Sequence, residues 1–160
     1  MTPSEWRGFL TQPVRTAKLA TVRADGRPHV APIWISLDDD DTVVFTTGAD
    51  TVKGRNILAE PRVSMCVDDE RPPFSFVVIE GRAEVSDDLD VMLEWATRIG
   101  GRYMGADRAD EYGRRNAVPG ELLVRVTPKK ILAHKNIAAC QHGALRRADK
   151  PPVGRRADTL

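Results

Sequence analysis

From residue 18 to residue 85 the chain alternates between short β-branched, apolar runs and tight polar turns, and a helix intervenes at one place only. That economy of helices is the strongest constraint on the fold. A doubly wound parallel sheet needs a helical crossover between nearly every pair of strands, whereas hairpin-linked strands close into sandwiches or barrels. The first run, residues 18–23, ends at Asp25-Gly26, a strong tight-turn signal. A returning strand is expected over residues 29–37. Within it Pro32 cannot donate to a ladder and therefore belongs at an edge or a bulge. An acidic turn, Asp38 to Asp41, leads to a third strand over 42–47. Further strands are expected over 62–67 and 74–85, with a last pair over 121–126 and 131–134. The expected fold class is mainly β, a barrel of six or seven mostly antiparallel strands with helices in the crossovers.

Four segments read as helices. Thr2, Pro3 and Glu5 form a capping box ahead of Trp6, Phe9 and Leu10, and this helix should end near Gln12-Pro13. Asp50 is expected to cap a short helix that ends before Pro61. Ser86 is expected to open a longer one carrying Val91, Met92, Trp95, Ala96 and Ile99, which should stop at Gly100-Gly101. A short helix is expected over 106–116.

The 160 residues suit one domain, expected over 1–142. The remainder, 143–160, carries Arg146, Arg147, Lys150, Arg155 and Arg156 with few large apolar residues; it reads as a disordered basic tail rather than a nucleic-acid-binding one. A net charge of +1 gives the whole molecule no preference for nucleic acid or an anionic membrane. No apolar run approaches a membrane span and no secretory leader pattern opens the chain. Cys66 and Cys140 lack CxxC spacing. The expected setting is the cytoplasm, without a disulfide framework.

Most chemistry-bearing residues are better explained without a site. His29, His134 and His142 are too scattered for a metal motif, so no metal is expected. There is no GxGxxG or GxSxG motif. The four aspartates 38–41 read as a solvated turn, and Cys66 as an inert structural thiol.

The segment from Thr46 to Asn56 differs. Thr46 and Thr47 end a strand, Gly48 frees the backbone, and a helix start follows with Thr51, Lys53, Arg55 and Asn56. A helix N-terminus offers unpaired amides and a positive dipole end. Lysine adds a point charge, and arginine adds a planar fork suited to phosphate. Composition alone leaves two readings, a phosphate site and a solvated turn with surface cations, and slightly favours the second.

The order of motifs decides between them. Leu19-Ala20-Thr21-Val22, Asp25-Gly26-Arg27-Pro28-His29-Val30-Ala31-Pro32, Thr46-Thr47, Lys53-Gly54-Arg55-Asn56-Ile57, Pro61-Arg62-Val63 and Glu80-Gly81-Arg82-Ala83 follow one another over residues 15–135. In this order the chain resembles the pyridoxamine-phosphate-oxidase-like split-barrel superfamily, within it the branch that uses the deazaflavin coenzyme F420. The resemblance implies a split β-barrel homodimer with two cofactor sites along the subunit interface. It implies that Lys53, Arg55 and Asn56, with Thr46, Thr47 and Thr51, hold the cofactor phosphate and nearby hydroxyls. It also implies that Val30, Ala31, Pro32 and Ile33 line the ring, and that Phe74 and Ser75 approach the same site. Trp34 and Trp95 suit core or dimer contacts as well as they suit this site. The arginine-rich substrate motif of true pyridoxamine-phosphate oxidases is not found near the C-terminal end. The expected activity is therefore hydride transfer between coenzyme F420 and a small organic acceptor, with no catalytic residue named. The alternatives are an FMN enzyme of the same fold and a non-catalytic flavin or deazaflavin carrier.

Overall fold

The computed structural model describes residues 1–139. Cys140, His142 and the expected tail at 143–160 lie outside the described residues. Seven strands form one antiparallel sheet: β1 (Ala17–Val22), β2 (Pro28–Ile33), β3 (Ser36–Leu37), β4 (Val43–Gly48), β5 (Arg62–Asp69), β6 (Ser75–Ser86) and β7 (Glu121–His134). Four α-helices join them: α1 (Pro3–Thr11), α2 (Val52–Ala59), α3 (Leu89–Met104) and α4 (Ala109–Asn116), the last preceded by a 3₁₀ turn.

The strand order is β2-β1-β5-β6-β7-β4-β3. Its two edges, β2 and β3, are separated in sequence by Trp34 and Ile35 alone. A sheet whose opposite edges are two residues apart must curl until those edges meet. The curl is completed by the covalent chain rather than by a ladder of hydrogen bonds, and this is the split of a split barrel. The fold class expected from the sequence is the one observed.

Alternation sets what lies inside. Leu19 and Ala17 of β1, Val43 and Phe45 of β4, Met65 and Val67 of β5, Val77 and Ile79 of β6, and Val124 and Val126 of β7 share one core with Trp6 and Leu10 of α1 and Ile57 of α2. Each fully buried large side chain contributes about 1.5–3 kcal/mol. On the outer face, Val44 and Leu123 meet Met92 and Trp95 of α3 in a smaller cluster. Trp95 is thus a packing residue.

Several boundaries differ from expectation, each for a tertiary reason. Residues 29–37 are not one strand: the Ile35 amide donates to the Tyr103 hydroxyl at 3.0 Å, and β3 pairs with β4 instead of β1. Helix α3 does not stop at Gly100-Gly101 but continues to Met104. A Cβ on Gly100 would lie 2.5 Å from the Tyr112 Cβ, and one on Gly101 3.1 Å from the Ala109 Cβ. These glycines let α3 and α4 touch; the helix ends at Gly105, whose φ is +100°. The expected strand pair at 121–126 and 131–134 is one strand of 14 residues. It runs through Pro128 because a bulge opposite Glu80 and Gly81 absorbs the missing donor. The helix of 106–116 opens with the 3₁₀ turn Ala106–Arg108. Thr51 rather than Asp50 caps α2, and Asp88 rather than Ser86 caps α3. The aspartate turn is not simply solvated, since Asp38 pairs with Arg125 and Asp41 with Arg7. No described helix is long and apolar enough to cross a membrane.

Candidate functional site

The seam between the two sheet edges opens into a cavity of about 410 Å³, lined by Thr16, Pro32, Ile33, Trp34, Thr46, Lys53, Ile99, Asn116 and Glu121. Six elements meet there. β2 supplies an edge whose outer side has no strand partner among the described residues. β4 supplies Thr46, which shares its face with Val44 beneath α3; Thr47, one residue on, turns inward with Phe45. The α2 start supplies Lys53, the α3–α4 hairpin supplies Ile99 and Asn116, and β7 supplies Glu121.

The α2 N-terminus is built tightly. The Thr51 hydroxyl accepts from the Gly54 amide at 3.0 Å and donates to the Gly48 carbonyl at 2.8 Å. Of the four amides that a helix start leaves without an intrahelical partner, those of Thr51 and Gly54 bond to Gly48 and to the Thr51 hydroxyl, and no hydrogen bond within the described chain engages those of Val52 and Lys53. A Cβ on Gly54 would fall 2.2 Å from the Gly48 carbonyl oxygen, so only glycine lets α2 sit this close to the end of β4.

The residues expected from the sequence separate into groups. Pro32, Ile33, Thr46 and Lys53 come together in the cavity wall. Val30 and Ala31 lie on the same edge strand outside that wall, Val30 with 61% of its surface exposed. Thr47 and Thr51 join hydroxyl to hydroxyl at 3.1 Å beneath it. Arg55 is exposed and its guanidinium donates to the Asp50 carbonyl. Asn56 is buried, and its Nδ2 donates to the Thr21 hydroxyl at 2.9 Å, tying α2 to β1. Phe74 and Ser75 lie at the far end of the sheet, beside the His134 end of β7, whereas the Glu121 end pairs with Gly48. They do not line this cavity.

Trp34 is a cavity residue rather than a core one. Its indole stacks on the Tyr103 ring with centroids 4.9 Å apart and planes within 5°, and Tyr112 packs at a tilt at 5.7 Å. The Tyr103 hydroxyl donates to the Arg15 carbonyl at 2.7 Å while accepting from the Ile35 amide, so two backbone groups fix the ring on which Trp34 stacks. Glu121 was not expected. Its carboxyl is pushed above the ordinary range by burial; Lys53 pulls it back and Asp50 raises it further. Burial likewise pushes the Cys66 thiol up, which suits an unreactive sulfur. Among the described residues no three of His, Cys, Asp and Glu converge as a metal-ligand set.

Comparison with known proteins shows the family. Residues 2–135 match the family model described as pyridoxamine 5'-phosphate oxidase. A pyridoxine/pyridoxamine 5'-phosphate oxidase of Rhizobium etli is 34% identical over 88 residues, 55% of this chain and 42% of that protein. The match thus spans less than half the length of this curated relative. A 5a,11a-dehydrotetracycline/5a,11a-dehydrooxytetracycline reductase of Streptomyces rimosus is 31% identical over 122 residues, 72% of this chain and 70% of the relative. Among solved structures, an F420 reductase superposes with a TM-score of 0.61 at 28% identity, covering 79% of this chain and 94% of the other.

Proposed function

The chain belongs to the pyridoxamine 5'-phosphate oxidase family, and from that premise we propose that it is an oxidoreductase using a phosphate-bearing flavin-type cofactor, coenzyme F420, to exchange a hydride with a small organic acceptor. The observation that carries this reading is the meeting of Lys53 and Thr46 with Pro32, Ile33 and Trp34 at the seam of the barrel. The residues present fit such a group. The free amides of Val52 and Lys53 and the Lys53 ammonium suit a phosphate. The unpaired edge of β2, followed by Trp34, suits a flat ring with polar edges.

The bound cofactor would supply the hydride chemistry itself. The chain supplies position and surroundings. Lys53 holds the phosphate end, while Thr46 offers a hydroxyl from the strand beside it. Backbone groups at Val30 and Ala31 and the walls of Pro32 and Ile33 hold the ring edge. Trp34, fixed by Tyr103, and Ile99 keep water from one side of the cavity, and Thr16 and Asn116 leave polar contacts for an acceptor. Positioning of this kind is where most of the protein's contribution to such a reaction lies.

The F420 assignment draws support from the F420 reductase and the tetracycline-series reductase; the Rhizobium oxidase favours FMN as the second reading. A homodimer accounts for Phe74 and Ser75, which reach a cofactor cavity only if it belongs to a second copy. A cytoplasmic location completes the proposal. Lys53→Ala should weaken cofactor binding by at least tenfold with little loss of fold, read by titration of both deazaflavin and FMN; unchanged affinity overturns the assignment. Oxidation of the reduced cofactor by a panel of quinones and enones tests turnover, and its absence across the panel would favour the carrier reading.

A further inference from the structure

A second cavity, of about 400 Å³, has Ser36 and Leu37 of β3, Val14 of the α1–β1 connection, and Arg98 and Arg102 of α3 in its wall. It shares no lining residue with the first cavity. Trp34 lines the first and Ser36 the second, and between them the Ile35 amide is tied to the Tyr103 hydroxyl. Arg98 and Arg102 stand one helical turn apart, on the same face of α3. No carboxylate lines the cavity, and neither arginine forms a salt bridge with another described residue. Asp38, within electrostatic reach of Arg98, is paired with Arg125. Arg98 donates to the Leu37 carbonyl, and Arg102 to those of Leu10 and Thr11. Carbonyl dipoles satisfy hydrogen bonds but leave the net charge of both guanidinium groups in place. The Arg102 Nε is buried and finds no partner. Ser36 is 6% exposed, and no hydrogen bond within the described chain engages its hydroxyl. Partly desolvated cations and unmet donors of this kind are costly until an acceptor reaches them.

We propose that this cavity is a second ligand site, which takes a small molecule carrying a doubly charged oxyanion group, a phosphate ester or a dicarboxylate, on Arg98, Arg102 and Ser36. A guanidinium presents a planar fork that matches two oxygens of a phosphate or carboxylate. Two such forks one helical turn apart suit two negative charges, and the Ser36 hydroxyl adds a donor between strand and helix. Val14 and Leu37 offer an apolar wall to the carbon frame of the guest. The volume falls at the small end of the range for small-molecule sites. Ile35 and Tyr103 stand between the two cavities, so the guest is distinct from the cofactor and from the acceptor it reduces. The site depends on neither the cofactor assignment nor the proposed reaction.

The test is calorimetric titration of the full chain with inorganic phosphate and, separately, with malonate, the ionic strength held constant with chloride. Thermal melting of the same samples gives a second readout. At least one anion should bind saturably and raise the melting temperature. Arg98→Gln should weaken that binding about tenfold; should that variant fail to fold, Ser36→Ala is expected to weaken it in the same sense. Arg27→Gln, which removes an exposed cation at the β1–β2 turn, should leave it unchanged. Binding of phosphate alone assigns a phosphate ester, binding of malonate alone a dicarboxylate, and binding of both the shared pair of charges. Lys53 can also hold phosphate, so the titrations are repeated in Lys53→Ala, where binding that depends on Arg98 should persist. Absence of saturable binding overturns the proposal. So does binding unmoved by the Arg98 and Ser36 variants, weakened equally by Arg27→Gln, or lost in Lys53→Ala alone.

Discussion

The Asn56 side chain donates to the Thr21 hydroxyl at 2.9 Å, and both residues are buried where α2 leans on β1. A contiguous reading of the Lys53-Gly54-Arg55-Asn56 segment assigns all its polar groups to a ligand. In the folded chain Asn56 holds the helix that presents Lys53.

Thr21→Val keeps the shape of the contact and strands the Asn56 amide without its partner. An unsatisfied buried donor costs about 1–3 kcal/mol. Urea unfolding should show a loss in that range, with the m-value unchanged. A variant as stable as wild type would mean that the amide finds another partner.

Gly54→Ala tests how closely α2 must approach β4. In an exposed helix interior this change would stabilise by up to about 1 kcal/mol. Here the new methyl carbon would meet the Gly48 carbonyl oxygen at 2.2 Å, and that obstacle is backbone. We expect a destabilisation of about 2 kcal/mol or more, together with weaker cofactor binding as Lys53 moves with the helix. Thermal melting and cofactor titration of the same preparation check both effects.

Stability should fall steadily as the pH drops from about 4.5 to about 2. Hydrogen bonding to Lys135, with help from the Thr2 amide, lowers the Glu5 carboxyl from 4.5 to about 2. Arg62 does the same for Glu60. Arg71 and Arg15 hold Asp69 well below its ordinary value, Arg125 holds Asp38 down, and Arg7 holds Asp41 down. Because these groups take up protons at higher pH when unfolded than when folded, falling pH favours the unfolded chain. The pairs are exposed or half-exposed, so each contributes modestly and high salt should flatten the profile. Denaturant midpoints across pH 2–8, at low and high salt, provide the check; a flat profile at low salt would contradict the ion pairing.

What could be read from the sequence is what the chain settles within a few residues. The capping box of Thr2 and Glu5 and the Asp25-Gly26 turn are observed as expected, Gly26 with φ +84°. The errors arose where a distant partner decides. Gly100 and Gly101 carry the local mark of a helix stop, yet Tyr112 and Ala109 make them a contact surface. Pro128 looks like a strand break until β6 provides a bulge opposite it. The site divides similarly. Thr46 and Lys53 lie in one segment whose spacing carries a signal, as do Pro32 and Ile33 in theirs. Glu121 reaches Lys53 only through the register of β4 on β7, and Asn116 and Ile99 only through the α3–α4 contact. No local pattern marks those three. Trp34 carried a signal, in that an aromatic directly after an edge strand has no ladder to occupy it.

The free edge of β2 also bears on how the protein behaves in crowded solution. An exposed sheet edge is a template on which another chain can lay a strand, the first step towards fibrous aggregates. β2 begins with Pro28 and carries Pro32 four residues later, in the same phase as Val30. Proline is tolerated in a sheet where its nitrogen faces away from the neighbouring strand. An incoming strand would therefore meet ring carbons at both places where it needs an amide proton, with a single donor between them. That edge can lend hydrogen bonds to a small flat guest while denying them to a long polypeptide, so the protein keeps an open binding groove without the colloidal risk that open edges usually bring.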